Sequence, residues 1–258
     1  MARRSLKRSN SGQVIIISAL LIALLLLSTA MYIIEVEKDT PTTQAQYVGS
    51  FDYSQSAKNT LISALANLTN GGSTDILAND LAEFKAVISN HSYQAMLQID
   101  ATPTNTAPYQ NGFWLLRGTE GNGASSSAVN FAFSSTSTTG SSQVQYLVNV
   151  SSEVQMTGVF FDVQGKSKDV NLTVNMLNEG KPALAENFTV YFEYDGSLSQ
   201  EDWVLVPSPT IINFGNGTYS FSFNVEQQNY NDPLLISLLC SDQRGIFVNA
   251  IITCTSVM

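Results

Sequence analysis

The clearest strand signal in this chain is Val170-Asn171-Leu172-Thr173-Val174-Asn175-Met176, in which apolar and polar residues strictly alternate. Such alternation places the apolar side chains on one face of a β-strand and the polar ones on the other. Turns spaced by about 8 to 12 residues are typical of a β-sandwich, so residues 168–258 are predicted to form one. Five further strands are expected in this region: Phe188 to Tyr194, Trp203 to Val206, Tyr219 to Val225, Leu234 to Cys240 and Ile246 to Thr253.

Alternating apolar residues also occur upstream, between residues 93 and 167. Thr119 to Ser142 consists mostly of Gly, Ser, Thr and Asn, which predicts long exposed loops around one strand, Val129 to Phe133. Residues 93–167 are therefore predicted to be a β-rich region with Ser/Thr/Gly-rich loops. Its other strands are expected at Tyr93 to Ile99, Gly112 to Leu116, Val144 to Val150 and Val154 to Val163.

Helical spacing replaces alternation before residue 92. Residues 37–92 are predicted to form a linker and a helical hairpin, whose apolar stripes pack on each other and on the following sheet. Gly71-Gly72 favours a helix stop, and Ser73-Thr74-Asp75 supplies residue types that begin a helix. The two stripes are Ala57, Leu61, Ala64 and Leu68, then Leu77, Leu81, Phe84 and Ile88.

The N-terminal region is typical of a membrane span. An uncharged apolar run from Val14 to Ile34 predicts a helix of roughly 32 Å, and the hydrocarbon core of a bilayer is about 30 Å thick. Basic residues precede the run and acidic residues follow it, so the positive-inside rule makes residues 1–12 a cytoplasmic basic leader and residues 13–36 a transmembrane helix. We therefore expect a single-pass cell membrane protein with an extracellular C-terminal bulk and the lipid bilayer as a partner.

The leader ends in Ser11-Gly12-Gln13, directly before the run Val14-Ile15-Ile16-Ile17-Ser18-Ala19-Leu20-Leu21. This layout resembles archaeal type IV pilin-like proteins with class III, or prepilin-type, signal sequences. The resemblance implies that a membrane peptidase cuts between Gly12 and Gln13, and that the apolar helix then remains as a membrane anchor or filament core. Pilin helices commonly continue past the membrane as one rod, whereas Pro41 disfavours helix at Thr40, which favours a tether.

A second resemblance covers residues 168–258. Asn178-Glu179-Gly180-Lys181-Pro182, then the strand Asn187-Phe188-Thr189-Val190-Tyr191, and later Gly215-Asn216-Gly217-Thr218-Tyr219 look like the Ig-like modules of prokaryotic surface proteins. The likeness concerns architecture, because the cysteine and tryptophan framework of antibody domains is missing. The predicted fold class is mainly β: an N-terminal transmembrane helix, a short helical hairpin, then antiparallel β-sandwiches, the last of them Ig-like.

Charge and residue inventory exclude several functions. The formal net charge is −9, so no nucleic acid partner is expected, since a phosphate backbone demands clustered positive charge. His91 is the only histidine, at a predicted exposed turn, and no Gly-X-Ser-X-Gly motif supplies a nucleophile. We predict no catalytic residues, cofactor or metal site. Calcium stays an open alternative, because aspartates lie near predicted strand ends at Asp162, Asp169, Asp195, Asp232 and Asp242.

The two cysteines, Cys240 and Cys254, lie on the last two predicted strands. In a hairpin around Asp242 to Gly245, Cys240 is expected opposite Phe247, which places Cys254 on the other face of the sheet. That register disfavours a disulfide between them, although the sequence leaves their pairing open.

Two sets of residues are candidates for modification and binding. Asn-X-Ser/Thr sequons all follow the apolar run, so extracellular N-glycosylation is expected to be able to reach them. Trp114 and Trp203, with Tyr109 and Tyr230, lie near predicted loops or strand ends, where aromatic faces stack on sugars or anchor protein contacts; packing at sandwich ends is the competing interpretation. The sequon asparagines are Asn67, Asn90, Asn149, Asn171, Asn187 and Asn216.

The sequence thus predicts a membrane-anchored extracellular surface protein with a structural, adhesive or binding role and no catalysis. The alternative is a major or minor subunit of a type IV pilus-like filament after cleavage following Gly12. Expected partners are other pilin-like or cell-surface proteins, or glycans. A surface enzyme is a third hypothesis, which would require acidic side chains that converge in an outer cleft.

Overall fold

Strands make up most of the folded chain, which confirms the predicted mainly β class. The computed structural model describes residues 43–91, 96–137, 140–163, 166–195, 203–228 and 233–257. The predicted leader (residues 1–12) and transmembrane helix (residues 13–36) lie outside the described residues. The chain divides into two compact units, Met1–Tyr53 and Ser54–Met258, and all the described strands belong to the second.

Two helices, α1 (Thr43–Thr69) and α2 (Ile76–His91), form the predicted hairpin. α1 begins at Thr43, earlier than the apolar spacing predicts. Gly71, with a φ of 88°, follows its end, and Ser73 Oγ accepts the Asp75 N–H at 3.2 Å just before α2 starts. Residues of both apolar stripes are buried together with strand residues, which confirms that the hairpin packs on the sheet.

The twelve described strands run from the end of the hairpin almost to the C-terminus. They are β1 (Met96–Pro103), β2 (Phe113–Arg117), β3 (Asn122–Ser137), β4 (Gly140–Asp162), β5 (Ser167–Asn178), β6 (Lys181–Pro182), β7 (Ala185–Glu193), β8 (Trp203–Leu205), β9 (Thr210–Asn213), β10 (Thr218–Glu226), β11 (Leu234–Asp242) and β12 (Phe247–Ser256).

These strands form one curled sheet with the central order β8-β7-β11-β12-β4-β5-β10-β9. β3 lies beside β4 and carries β1 and β2 on its other side, while β6 pairs with β5. Every ladder between described strands is antiparallel except the short contact of β12 with β4, where Thr255 lies beside Val159 and Ser256 beside Phe160. Around that contact, the group β4-β5-β10 faces the group β7-β11-β12 across a shared core.

The single inward face of β4 lines both hydrophobic cores. Its even-numbered residues from Val148 to Phe160 alternate inward, and Ser152 lies between the two cores with its hydroxyl 3.2 Å from Asn178 Oδ1. Val148 and Val150 contribute to the core under the helices, whereas Val154, Met156 and Phe160 contribute to the larger core with β5, β7, β10, β11 and β12. β4 is therefore continuous through Ser152 and joins the region under the helices to the region of the larger core.

The Ser- and Gly-rich stretch predicted as exposed loops is mostly strand β3, and from Gly123 to Val129 every residue is buried. Small residues are needed because β12 crosses close to it. A Cβ at Gly123 would collide with the Asn249 carbonyl oxygen, and Ser125 donates to the Phe247 carbonyl at 2.6 Å. Composition indicated a loop here, but tight packing between strands requires the same residue types.

The register of the last hairpin differs by one residue from the prediction. Cys240 pairs with Val248, and Ser241 pairs with Phe247. Because a shift of one residue exchanges the two faces of a strand, Cys254 lies on the same inner face as Cys240, not on the opposite one. In the β11–β12 ladder Cys254 lies opposite Leu234, at the end far from Cys240. The two thiols are therefore too far apart along the ladder to form a disulfide. Both cysteines are free and buried in the larger core. Burial raises the pKa of each thiol to about 12, Asp242 adding to the effect at Cys240.

Candidate functional site

All six sequon asparagines are exposed, and none belongs to either hydrophobic core. They are distributed over helices, strands and one turn, so the candidate modification sites are spread along the whole folded region. Asn67 lies in α1, Asn90 in α2, Asn149 in β4, Asn171 in β5, Asn187 in β7 and Asn216 in the β9–β10 turn.

Asn149 differs from the other sequons because its amide is anchored beside two aromatic rings. Its Oδ1 lies 2.9 Å from the Ser126 hydroxyl and accepts from the Tyr109 hydroxyl at 3.4 Å. The Ser126 and Tyr109 hydroxyl oxygens are 2.9 Å apart. Both contacts are made by the amide oxygen. The amide nitrogen Nδ2, which is the atom that N-glycosylation modifies, takes part in neither of them.

Trp114 lies in the same cluster, which we call the aromatic patch (Tyr109, Trp114, Ser126 and Asn149). The Tyr109 and Trp114 rings meet edge to face with their centroids 6.3 Å apart, and Trp114 is directly opposite Ser126 in the β2–β3 ladder. Trp114 is half-buried. The structure therefore brings a predicted ligand residue and a predicted modification site together on one outer face.

The loop before β2 positions this patch. Gln110 and Phe113 exchange backbone hydrogen bonds of 2.8 and 2.9 Å, and Asn105 Oδ1 accepts the Asn111 N–H at 2.6 Å. Gly112 has a φ of 81°, in the left-handed region that favours glycine. This tight turn carries the chain from Tyr109 directly into β2, so the Tyr109 ring lies next to the Trp114 ring.

Trp203, the other predicted ligand residue, is far from the patch in the strand order. It is half-buried in β8, opposite Glu193 of β7, at the other end of the central sheet. Tyr230 lies outside the described residues. The aromatic residues predicted for binding therefore do not form one site.

A shallow open depression of about 430 Å³ lies farther along the outer face, across β1, β3 and β4. Its polar lining includes Asp100, Thr102, Asn130 and Gln145. Asp100 forms an ion pair of 3.1 Å with Lys85 of α2. Since Asp100 is the one carboxylate among the lining residues, the depression does not supply the two carboxylates that glycoside hydrolysis requires.

A polar network around Arg244 was missed by sequence reasoning, which placed Glu179, Asp242 and Arg244 in turns and considered Asp242 for calcium. Asp242 is completely buried, and its Oδ1 accepts the Arg244 and Ile246 N–H groups at 2.8 and 3.0 Å. Its Oδ2 accepts Arg244 Nε at 2.6 Å. The other guanidinium nitrogens of Arg244 donate to Glu179 Oε1 at 2.6 Å and to the Ser151 carbonyl at 2.8 Å. We call Ser151, Glu179, Asp242 and Arg244 the Arg244 network.

Lys58 of α1 extends the network to the helices, with its Nζ 3.4 Å from Glu179 Oε2. The turns after β5 and β11, strand β4 and helix α1 are thereby tied together. Burial by itself raises the pKa of Glu179, but the hydrogen bond and charge of Arg244, the Ser151 N–H and the charge of Lys58 outweigh it, so the pKa is below its usual 4.5. The Arg244 network connects separate structural elements and does not resemble a substrate site.

Among the residues that the structure describes, the aspartates considered for calcium, namely Asp162, Asp169, Asp195 and Asp242, do not form a group that could hold a metal ion. Arg244 engages Asp242, Asp169 accepts Asn224 Nδ2 at 2.7 Å, and Asp162 is exposed at the end of β4. Asp232 lies outside the described residues. Within the described part of the chain, no three His, Cys, Asp or Glu side chains are grouped so as to hold a metal ion.

The predicted cleavage residues Gly12 and Gln13 and the apolar run after them lie outside the described residues. Neither described helix has both the length and the apolar character that a membrane crossing requires. Comparisons with protein-family models, with curated proteins and with solved structures find no match for this chain. Its function is therefore argued from its own residues.

Proposed function

We propose that this chain is a membrane-anchored extracellular surface protein with a structural or adhesive role and no catalysis, held by the apolar run Val14 to Ile34. The observation that carries the proposal is the exposure of all six sequon asparagines. Glycosylation of surface asparagines takes place outside the cytoplasm, and each of these side chains is open to it. All six sequons follow the apolar run, on the side that the basic leader predicts to be extracellular.

We also propose that the region from β4 onward is an Ig-like sandwich. Its support is the larger core, which alternating residues of β4, β5 and β10 enclose with alternating residues of β7, β11 and β12. The proposed binding surface of the protein is the aromatic patch beside β2 and β3, because the paired rings of Tyr109 and Trp114 offer the stacking surface that a sugar requires.

Glycopeptide mass spectrometry on the protein from its own host tests the proposal. Glycans are expected on several of the six sequon peptides. If all six asparagines are unmodified in protein from the cell-surface fraction, the proposed extracellular location loses its main support. Asn79, exposed but outside any sequon, serves as the matched asparagine that should remain unmodified in the same digest.

A subunit of a type IV pilus-like filament is the second candidate, favoured by the Gly12-Gln13 junction. The intact mass of the mature protein distinguishes the two. Loss of residues 1–12, together with release of the protein by shearing of cells, would support the filament. An uncut N-terminus, or a protein that stays wholly with membranes, would support the tether.

A further inference from the structure

The last strand on one side of the sheet, β9, has a free edge. Among the described strands β9 pairs only with β10, and all four of its residues are exposed. A free edge presents backbone N–H and C=O groups that can pair with a further strand. Proteins usually protect such an edge with charged side chains, and β9 has none.

The side chains of this edge are large and apolar. Ile211 is 43% exposed, Ile212 is 54% exposed, and Phe214, directly after the strand, is 59% exposed. By its register Ile211 lies opposite Phe221, a core residue, and Ile212 lies opposite Ser220 on the outer face. Both faces of β9 therefore present apolar surface at the edge, which is unusual for a strand that remains unpaired.

The distribution of charge indicates which molecule pairs with the free edge of β9. The chain has a formal net charge of −9, yet no charged residue occurs from Trp203 to Val225, which includes β8, β9 and most of β10. Two copies of an acidic protein repel each other, and the repulsion is weakest where neutral surfaces meet. An antiparallel strand pair also has twofold symmetry, so identical edges are complementary to each other.

We propose that the free edge of β9 pairs antiparallel with β9 of a second copy of this chain. The pair extends the sheet across the two copies and covers Ile211, Ile212 and Phe214 of both. The nearest sequon, Asn216, lies in the turn between β9 and β10, beyond the end of the strand. A glycan there leaves the backbone groups of the edge free. The proposal is independent of whether the protein is a tether or a filament subunit.

Cysteine scanning in membranes that contain the full chain tests this contact. Thr210, Ile211, Ile212 and Asn213 are each replaced by Cys and the membranes are oxidised. Residues near the twofold axis of an antiparallel pair have Cα atoms about 4.5 to 5.5 Å apart, within the range of a disulfide. We expect the yield of covalent dimer to peak at one position or two adjacent positions of β9 and to fall on either side.

Thr157→Cys is the matched control, because Thr157 is exposed on β4, which has strands on both sides. The native Cys240 and Cys254 are buried and add little background. Dimer yields from all four β9 positions no higher than that from Thr157→Cys would overturn the proposal, as would a flat yield along β9.

A second measurement uses the molar mass of the full chain in detergent, determined by sedimentation equilibrium. Ile212→Lys places a charge on the edge and should raise the dimer dissociation constant by about tenfold or more. Leu147→Lys, on the outer face of β4, is the control, since Leu147 is similarly exposed at 58% but lies away from the edge. A wild-type chain that is monomeric at every concentration, or equal constants for both variants, would contradict the proposal.

Discussion

At the residue scale, the carboxylate of Asp242 is completely buried and fully engaged in polar contacts. It accepts three hydrogen bonds, two from backbone N–H groups and one from the Arg244 side chain. A buried ion pair is a weak source of stability by itself, but removal of one partner leaves the other without compensation. The Arg244 network should therefore respond strongly to single substitutions.

Asp242→Ala is expected to lower the free energy of unfolding by about 3 kcal/mol or more, since it removes an acceptor that is completely buried. Urea unfolding of the full chain in detergent, followed by tryptophan fluorescence, measures the change. Asp162→Ala, at an exposed position, should change it by less than about 0.5 kcal/mol. Equal effects of the two substitutions would show that the network does not act as described.

Glu179 should make stability depend on pH. Its pKa in the folded protein is below the usual 4.5, so its contribution is complete above that value and is lost as the pH falls through the folded-state pKa. Between about pH 6 and about pH 3, wild type should therefore lose more stability than Glu179→Gln. Glu226→Gln, at an exposed glutamate of β10, should follow wild type. If the difference in unfolding free energy between wild type and Glu179→Gln does not change with pH, the lowered pKa assigned to Glu179 is contradicted.

At the residue scale, some features follow from residue type alone. Asparagine is polar and short, so the exposure of the six sequons needed no knowledge of tertiary contacts. The cysteines show the limit, because a register error of one residue placed Cys254 on the wrong face. Arg244 was missed since its partners, Asp242, Glu179 and Ser151, come from three separate parts of the chain.

At the element scale, β3 shows how small residues permit a close crossing of strands. The N–H of Gly121 donates to the Ile251 carbonyl at 2.7 Å, and Gly118 accepts the Ile251 N–H at 3.0 Å. β12 thus exchanges backbone hydrogen bonds with the segment that leads into β3. Composition alone does not distinguish this arrangement from a flexible loop, whereas the helical hairpin was predictable from its spacing.

Gly123→Ala tests the crossing. A Cβ there would collide with the carbonyl of Asn249, a backbone atom that cannot move freely, so a loss of about 2 to 3 kcal/mol in unfolding free energy is expected. Gly180→Ala is the control, with open space around the Cβ but a φ of 73°, which by itself costs about 1 kcal/mol. If Gly123→Ala costs no more than Gly180→Ala in urea unfolding, β3 and β12 do not approach as closely as described.

At the scale of the whole molecule, the long strand β4 makes one folded region of the helical hairpin and the β-rich part. The sequence indicated a change of rhythm near residue 168, but the inward face of β4 is shared by both cores. Which strands pair across such distances depends on contacts far apart in sequence, and local alternation carries no information on them. The outer surface, which carries the exposed sequon asparagines, is the part on which the proposed extracellular role rests.

The central claim is that the folded region lies outside the cell, and labelling of a single added cysteine tests it most directly. Thr157→Cys places a thiol on the exposed outer face of β4, while Cys240 and Cys254 are buried with pKa values near 12. A membrane-impermeant maleimide applied to intact cells should label Thr157→Cys fully and wild type hardly at all. Labelling of Thr157→Cys only after the cells are lysed would contradict the proposed orientation and the function built on it.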